Sequence, residues 1–127
     1  MDNPISRVDT VGIPSQDTVR SREFYVDTLS LRPDDNAWNE FWVGDTCFAI
    51  WEPERFGVEF QPQRNAIALL HVDDVETARA ELEAKGIQFV FETVDTGVCH
   101  MATFADPDGN QLTLHRRYAP YTESATA

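Results

Sequence analysis

The stretch FADPDGNQLTLHRR, residues 104–117, decides the fold of this chain. Asp106, Pro107, Asp108 and Gly109 spell a turn, because proline presets φ and glycine accepts the positive φ of a tight bend. After it, Asn110 to Arg116 alternate in the period-two pattern of a half-buried strand. The run before it, VCHMATF, is also extended, so the stretch closes a β-hairpin. Pairing Ala105 with Asn110 predicts Ala102 opposite Thr113 and His100 opposite His115.

Working outward, IQFVFE is predicted as another strand and AIALLHV as a further one. Between them, Asp73 or Asp74 caps a helix whose Val75, Ala78 and Leu82 share a face and which Gly86 stops. The first half follows the same order. SRVDTVGI, residues 6–13, reads as a strand broken by Pro14 and Ser15. Asp17 caps a helix through about Thr28, with Val19, Val26 and Leu29 inward. LRPDD, AWNEFWV and TCFAIWE supply extended pieces, with a tight turn at Gly44 and Asp45. Thr10 falls on Ile67 and Asp17 on Asp74, a spacing of 57 residues in each case. The chain therefore reads as one domain over residues 1–120, with modules at about 6–52 and 66–116, a linker at 53–65, and a flexible tail at 121–127.

Composition narrows the function. The 127 residues, 42% hydrophobic and 25% charged, suit a globular domain rather than a disordered chain. No apolar run approaches the ~20 residues of a membrane span. The start, MDNPISRVDT, lacks the pattern of a signal peptide, so a cytoplasmic location is expected. A net charge of −12 argues against nucleic acid or an anionic membrane as partner and favours a cationic ligand. Cys47 and Cys99 give neither a disulfide framework nor a metal-binding spacing, and are expected to be buried thiols.

In VDTVGIPSQD, EFYVDTLSLRP, LLHVDDVETARAELEAKGI and FADPDGNQLTL, the chain resembles the vicinal oxygen chelate superfamily of glyoxalase I, bleomycin-resistance proteins and extradiol dioxygenases. The resemblance spans residues 7–115. It implies an α+β fold of two βαβββ modules, each a curved sheet backed by helices, forming a half-barrel and commonly a homodimer. It also implies a divalent metal held by four side chains, at the positions of Thr10, Ala49, Ile67 and Thr113. None of the four carries a carboxylate or imidazole, so no metal and no other cofactor are expected. His71 and His115 keep the inward parity of Ile67 and Thr113. Their strands are taken as antiparallel, which would separate the two rings by more than ~20 Å and prevent a shifted site.

Function is then sought elsewhere in the cavity. The Gly44–Asp45 turn predicts Trp42 opposite Cys47, Glu40 opposite Ala49 and Trp38 opposite Trp51. That register puts Trp38, Glu40, Trp42 and Trp51 on the face of Ala49, and Phe41, Val43, Phe48 and Ile50 on the helix side. A tryptophan-rich pocket suits a flat aromatic or cationic ligand, and Glu40 needs a partner there, with Arg7, Arg55 and Arg64 as candidates. In the second module His100 and His115 are expected to meet in or beside the cavity. The favoured expectation is a metal-independent binder of a small molecule such as an antibiotic. The alternatives are a lyase, isomerase or hydrolase using Glu40 or His100 as acid or base, an interaction or regulatory protein, and, least favoured, a metal-dependent glyoxalase or dioxygenase.

Overall fold

The computed structural model describes residues 3–65 and 68–122. Residues through Gln63, together with Asp106–Asn110, form one compact unit, and Arg64–Ala105 with the residues from Gln111 form a second. Each unit contains one four-stranded mixed sheet.

In the first unit the strands are β1 (Thr10–Pro14), β2 (Arg32–Pro33), β3 (Glu40–Val43) and β4 (Thr46–Trp51), in the order β1-β4-β3-β2. β1 runs parallel to β4, and the other neighbours are antiparallel. The β3–β4 register is the one the Gly44–Asp45 turn requires, with Glu40 opposite Ala49 and Trp42 opposite Cys47. Trp38 lies outside the ladder, in a turn before β3. The first strand begins at Thr10, later than expected, and includes Pro14. Proline is tolerated because β1 is an edge strand.

Asp17 caps helix α1 (Thr18–Arg22) by accepting from the Arg20 N–H at 3.1 Å. The chain continues as a π-helical segment, Glu23–Thr28, in which the Leu29 N–H reaches Phe24 O. The inward positions are Ser21 and Tyr25, both 0% exposed, whereas Val19 is exposed and Val26 and Leu29 are half-buried. The expected apolar stripe is thus replaced by a polar one. Its partners are two carboxylates of the loop Asp106–Asn110.

The Tyr25 hydroxyl donates to Asp106 Oδ2 at 2.6 Å, while its ring stacks on Phe41 with centroids 4.8 Å apart. Asp106 Oδ1 accepts the Asp108 and Asn110 N–H groups, each at 2.9 Å, and so shapes the loop. Asp108 Oδ2 accepts from the Ser15 and Ser21 hydroxyls, and its Oδ1 from the Gln16 N–H and Arg20. Asn110 donates to Pro14 O and accepts the Gln63 N–H. Burial raises the Asp106 carboxyl above the ordinary range despite its donors. Burial, reinforced by the Asp106 charge, also lifts the Tyr25 hydroxyl well above its usual value. At Asp108 burial opposes ionisation, but the Gln16 N–H, the Ser21 and Ser15 hydroxyls and Arg20 outweigh it and hold the carboxyl below the usual range.

In the second unit the elements are β5 (Leu69–His71), α2 (Val75–Ala84), β6 (Val94–Asp95), β7 (Cys99–Ala105) and β8 (Gln111–Arg117), with strand order β5-β8-β7-β6. Asp74 caps α2 by accepting the Thr77 N–H at 2.8 Å, and Gly86 follows the helix at φ +88°. Three expectations are corrected here. β5 and β8 are parallel, so Leu69 faces Thr113 and His71 faces His115. The histidines expected at opposite ends are register neighbours. IQFVFE forms only an isolated bridge, Phe89 to Phe104, with β6 following it. Arg79 donates to the Phe91 carbonyl and to the Thr93 hydroxyl, which occupies one backbone acceptor of this segment.

The third correction concerns the opening stretch. Ala105 pairs with Gln111, so Thr103 faces Thr113, Met101 faces His115 and His100 faces Arg116. The loop holds five residues, closed by Asp106 N to Asn110 O, with Gly109 at φ +87°. One residue more than expected reverses the face of every β7 side chain relative to β8.

Asp108→Asn tests the charge at the loop. A carboxyl held below its unfolded value near ~3.9 stabilises the fold above that pH, and loses the contribution as pH falls through its folded value. The variant is expected to unfold at lower urea than the native chain at about pH 7, with the gap narrowing towards about pH 3. A gap constant across that range would refute the assignment.

Candidate ligand-binding site

Strand parity sorts each sheet into two faces. In the first unit Phe41, Phe48 and Ile50 are buried on the face that packs Tyr25. The other face carries Glu40, Trp42, Cys47, Ala49 and Trp51, with Thr10 opposite Cys47 and Gly12 opposite Ala49. Glu40 is half-buried, and its partner is the Cys47 thiol, with Sγ to Oε1 at 3.3 Å. Burial, and then the Glu40 carboxylate, raise that thiol above its usual value, which disfavours the nucleophilic thiolate. Among the candidate arginines, Arg7 pairs with Asp9 and Arg55 with Glu52. Arg64 belongs to the other unit.

The three tryptophans divide. Trp38 and Trp51 line a hollow of ≈ 400 Å³ with Phe56 and Glu52. Arg22 lies over the Trp38 ring at 5.5 Å, and Trp51 packs on Phe56 at 6.2 Å. Trp42 does not line this hollow: its Nε1 donates to Asp34 at 3.0 Å and Arg32 lies over its ring.

In the second unit Ala102, Phe104, Leu112 and Leu114 are buried on the face against α2. His100 shares their parity and lies beside the start of α2, where Asp73, Asp74 and Arg116 border the same recess. It stands 3.4 Å from Asp95 and packs on Tyr118. The Gly97 N–H, the Tyr118 hydroxyl and His100 hold the Asp95 carboxyl below its usual range. His100 and His115 therefore lie on opposite faces, because of the one-residue shift. His115 shares its face with Thr113 and, by register, with Met101 and His71.

That open face holds a hollow of ≈ 460 Å³. Its floor is the pair Thr103 and Thr113, whose hydroxyls are 2.9 Å apart, and Thr113 is buried. Leu69, Phe91 and Met101 give it apolar surface, and Arg64, Asn65 and Gln111 give it polar edges. Thr103 and Met101 are not legible from the expected four-residue loop, which turns them to the other face, and Phe91 lies in the segment IQFVFE that forms no regular strand. Counting a five-residue loop would have placed Thr103 opposite Thr113.

The donor set for a divalent ion can be tested directly. Thr10 and Thr113 offer hydroxyls, Ala49 a methyl group, and Ile67 lies outside the described residues. Such groups do not fit a resident divalent ion. Among the described residues no group of three or more His, Cys, Asp or Glu side chains could hold a metal.

The chain belongs to the Glyoxalase/Bleomycin resistance protein/Dioxygenase superfamily, whose sequence profile matches residues 7–114. The solved structures it resembles include a glyoxalase/bleomycin resistance protein/dioxygenase from Nocardioides. That protein is 17% identical, with a TM-score of 0.77 over 99% of this chain and 93% of the other. TnmS3, an antibiotic binding protein from Streptomyces sp. CB03234, is 24% identical at a TM-score of 0.72, covering 91% and 99% of the two chains. Lactoylglutathione lyase from Agrobacterium tumefaciens is 17% identical at 0.68, covering 89% and 95%. These likenesses are of fold. No curated protein sequence matches the chain. Among the described residues no helix is long and apolar enough to cross a membrane.

The threonine pair makes a measurable prediction. Thr103→Val leaves the buried Thr113 hydroxyl without its partner and is expected to cost about 1–3 kcal/mol. The double variant Thr103→Val, Thr113→Val removes both hydroxyls and is expected to be less destabilised than the sum of the singles in a double-mutant cycle by urea unfolding. Additive effects would show that the two hydroxyls do not depend on each other.

Proposed function

We propose that this chain is a metal-independent small-molecule-binding protein that takes up a flat aromatic ligand, such as an antibiotic, without transforming it. The observation that carries this reading is Thr113. At the position where the family resemblance implies a metal ligand stands a buried hydroxyl, paired to Thr103 at the floor of an open hollow. A hollow of ≈ 460 Å³ falls within the ~300–1,000 Å³ typical of ligand sites, and Phe91 and Met101 offer surface to an aromatic ring. The fold shared with an antibiotic binding protein supports the same reading. In the first unit the Trp38–Trp51 hollow, with Glu52, is the competing site, and the one suited to a cationic ring.

Calorimetric titration with a panel of aromatic compounds, including cationic antibiotics, tests the proposal together with product and metal analysis. Binding without turnover, in protein holding far less than one metal per chain, is expected. Met101→Trp, which fills the second-unit hollow, should abolish it, whereas Trp38→Ala and Trp51→Ala should leave it. The opposite pattern moves the site to the tryptophans. One tightly held divalent ion per chain, or turnover lost in Glu40→Gln or His100→Ala, would overturn the proposal. We also propose that the chain acts as a homodimer, the assembly that the family resemblance implies. Sedimentation equilibrium is expected to give twice the chain mass, and a monomer at micromolar concentration would exclude this.

A further inference from the structure

The chain carries 22 Asp and Glu residues, yet none among the described residues lines the hollow above Thr103 and Thr113. Five carboxylates of the second unit gather beside α2 instead. Asp73, Asp74, Glu76 and Asp95 border the recess beside His100, and Glu81 joins Asp73 and Asp74 in a neighbouring one. Among the described residues Arg64 is the single charged residue on the hollow; it is exposed and forms no ion pair or hydrogen bond with any of them. Arg7, Arg20, Arg55 and Arg79 are each paired with a carboxylate. At the floor, two hydroxyls carry two protons, and their mutual hydrogen bond uses one. The other is left to donate to a ligand acceptor.

From this segregation we infer that the ligand of this hollow is an anion: an aromatic or apolar body bearing one carboxylate, enolate or phenolate oxygen that faces Arg64. The inference rests on the binding reading above and reverses the ligand charge suggested by the net −12. Long-range repulsion from that charge is screened beyond about 8 Å in physiological salt, whereas contact with a guanidinium is not. Guanidinium matches carboxylate geometry with two parallel donors, and Leu69, Phe91 and Met101 cover the ring.

Three probes with one ring system separate the outcomes: naphthoate, naphthylmethanol and naphthylmethylammonium, titrated into the full chain by calorimetry. Amide NMR shifts at Thr103 and Thr113 locate the binding. Naphthoate is expected to bind on the order of tenfold or more tighter than the ammonium. In Arg64→Gln the ratio of anion to alcohol affinity should fall to about one, and in Arg64→Glu the preference should invert. Ammonium binding as tight as naphthoate, or an unchanged preference in Arg64→Gln, overturns the inference. If the alcohol shifts Thr103 and Thr113 and charge makes no difference, the inference falls and the binding reading stands. If no probe shifts those residues, both fall.

Discussion

Two carboxylates in one five-residue loop organise the first unit. Asp106 and Asp108 together accept from Tyr25, Ser15, Ser21, Arg20 and several backbone N–H groups, and no buried side-chain polar atom among the described residues lacks a partner. A buried carboxylate without such donors would be costly, and a helix presenting Ser21 and Tyr25 inward would have nothing to gain. Each side of the network justifies the other. The stacked Tyr25 and Phe41 rings tie this polar arrangement to the apolar core of Ile13, Phe48 and Ile50.

Where the sequence was legible, a short turn made it so. Gly44 and Asp45 leave one hairpin register, and both faces of β3 and β4 follow from it. The Asp17 cap was legible too, because a side-chain oxygen before a helical run has one obvious use, whereas Asp73 and Asp74 stood as equal candidates until the Thr77 N–H contact singled out Asp74. The DPDG turn identified the hairpin but not its register, because the loop closes at Asn110 rather than Gly109. That one residue sends His100 to the helix face and Thr103 to the open face. The inward face of α1 was illegible for a different reason: Ser21 and Tyr25 are buried by partners that lie more than 80 residues away in sequence. Hydrophobic periodicity has no access to such partners.

The register of the second hairpin adds a candidate site at Thr103 and Thr113. Sequence placed function on tryptophans and Glu40; the structure gives Glu40 to Cys47, Trp42 to Asp34, and leaves Trp38 and Trp51 in a hollow of their own. The positions at which the family resemblance implies metal ligands remain informative, since Thr113 lines a cavity. Net charge does not describe the charge around each hollow. Asp73, Asp74, Glu76, Glu81 and Asp95 border the recesses by α2, and no acidic residue among the described residues lines the hollow on the other face.

Beside β7 the segment around Phe89 makes only an isolated bridge, its Phe91 carbonyl is held by Arg79, and the sheet ends on the two-residue β6. The first sheet likewise ends on the two-residue β2, and its opposite edge carries Pro14. A long, regular edge offers unpaired N–H and C=O groups as a template for another chain. These interrupted margins offer little for a foreign strand to pair with. Short and interrupted edges of this kind limit edge-to-edge pairing beside an open sheet face.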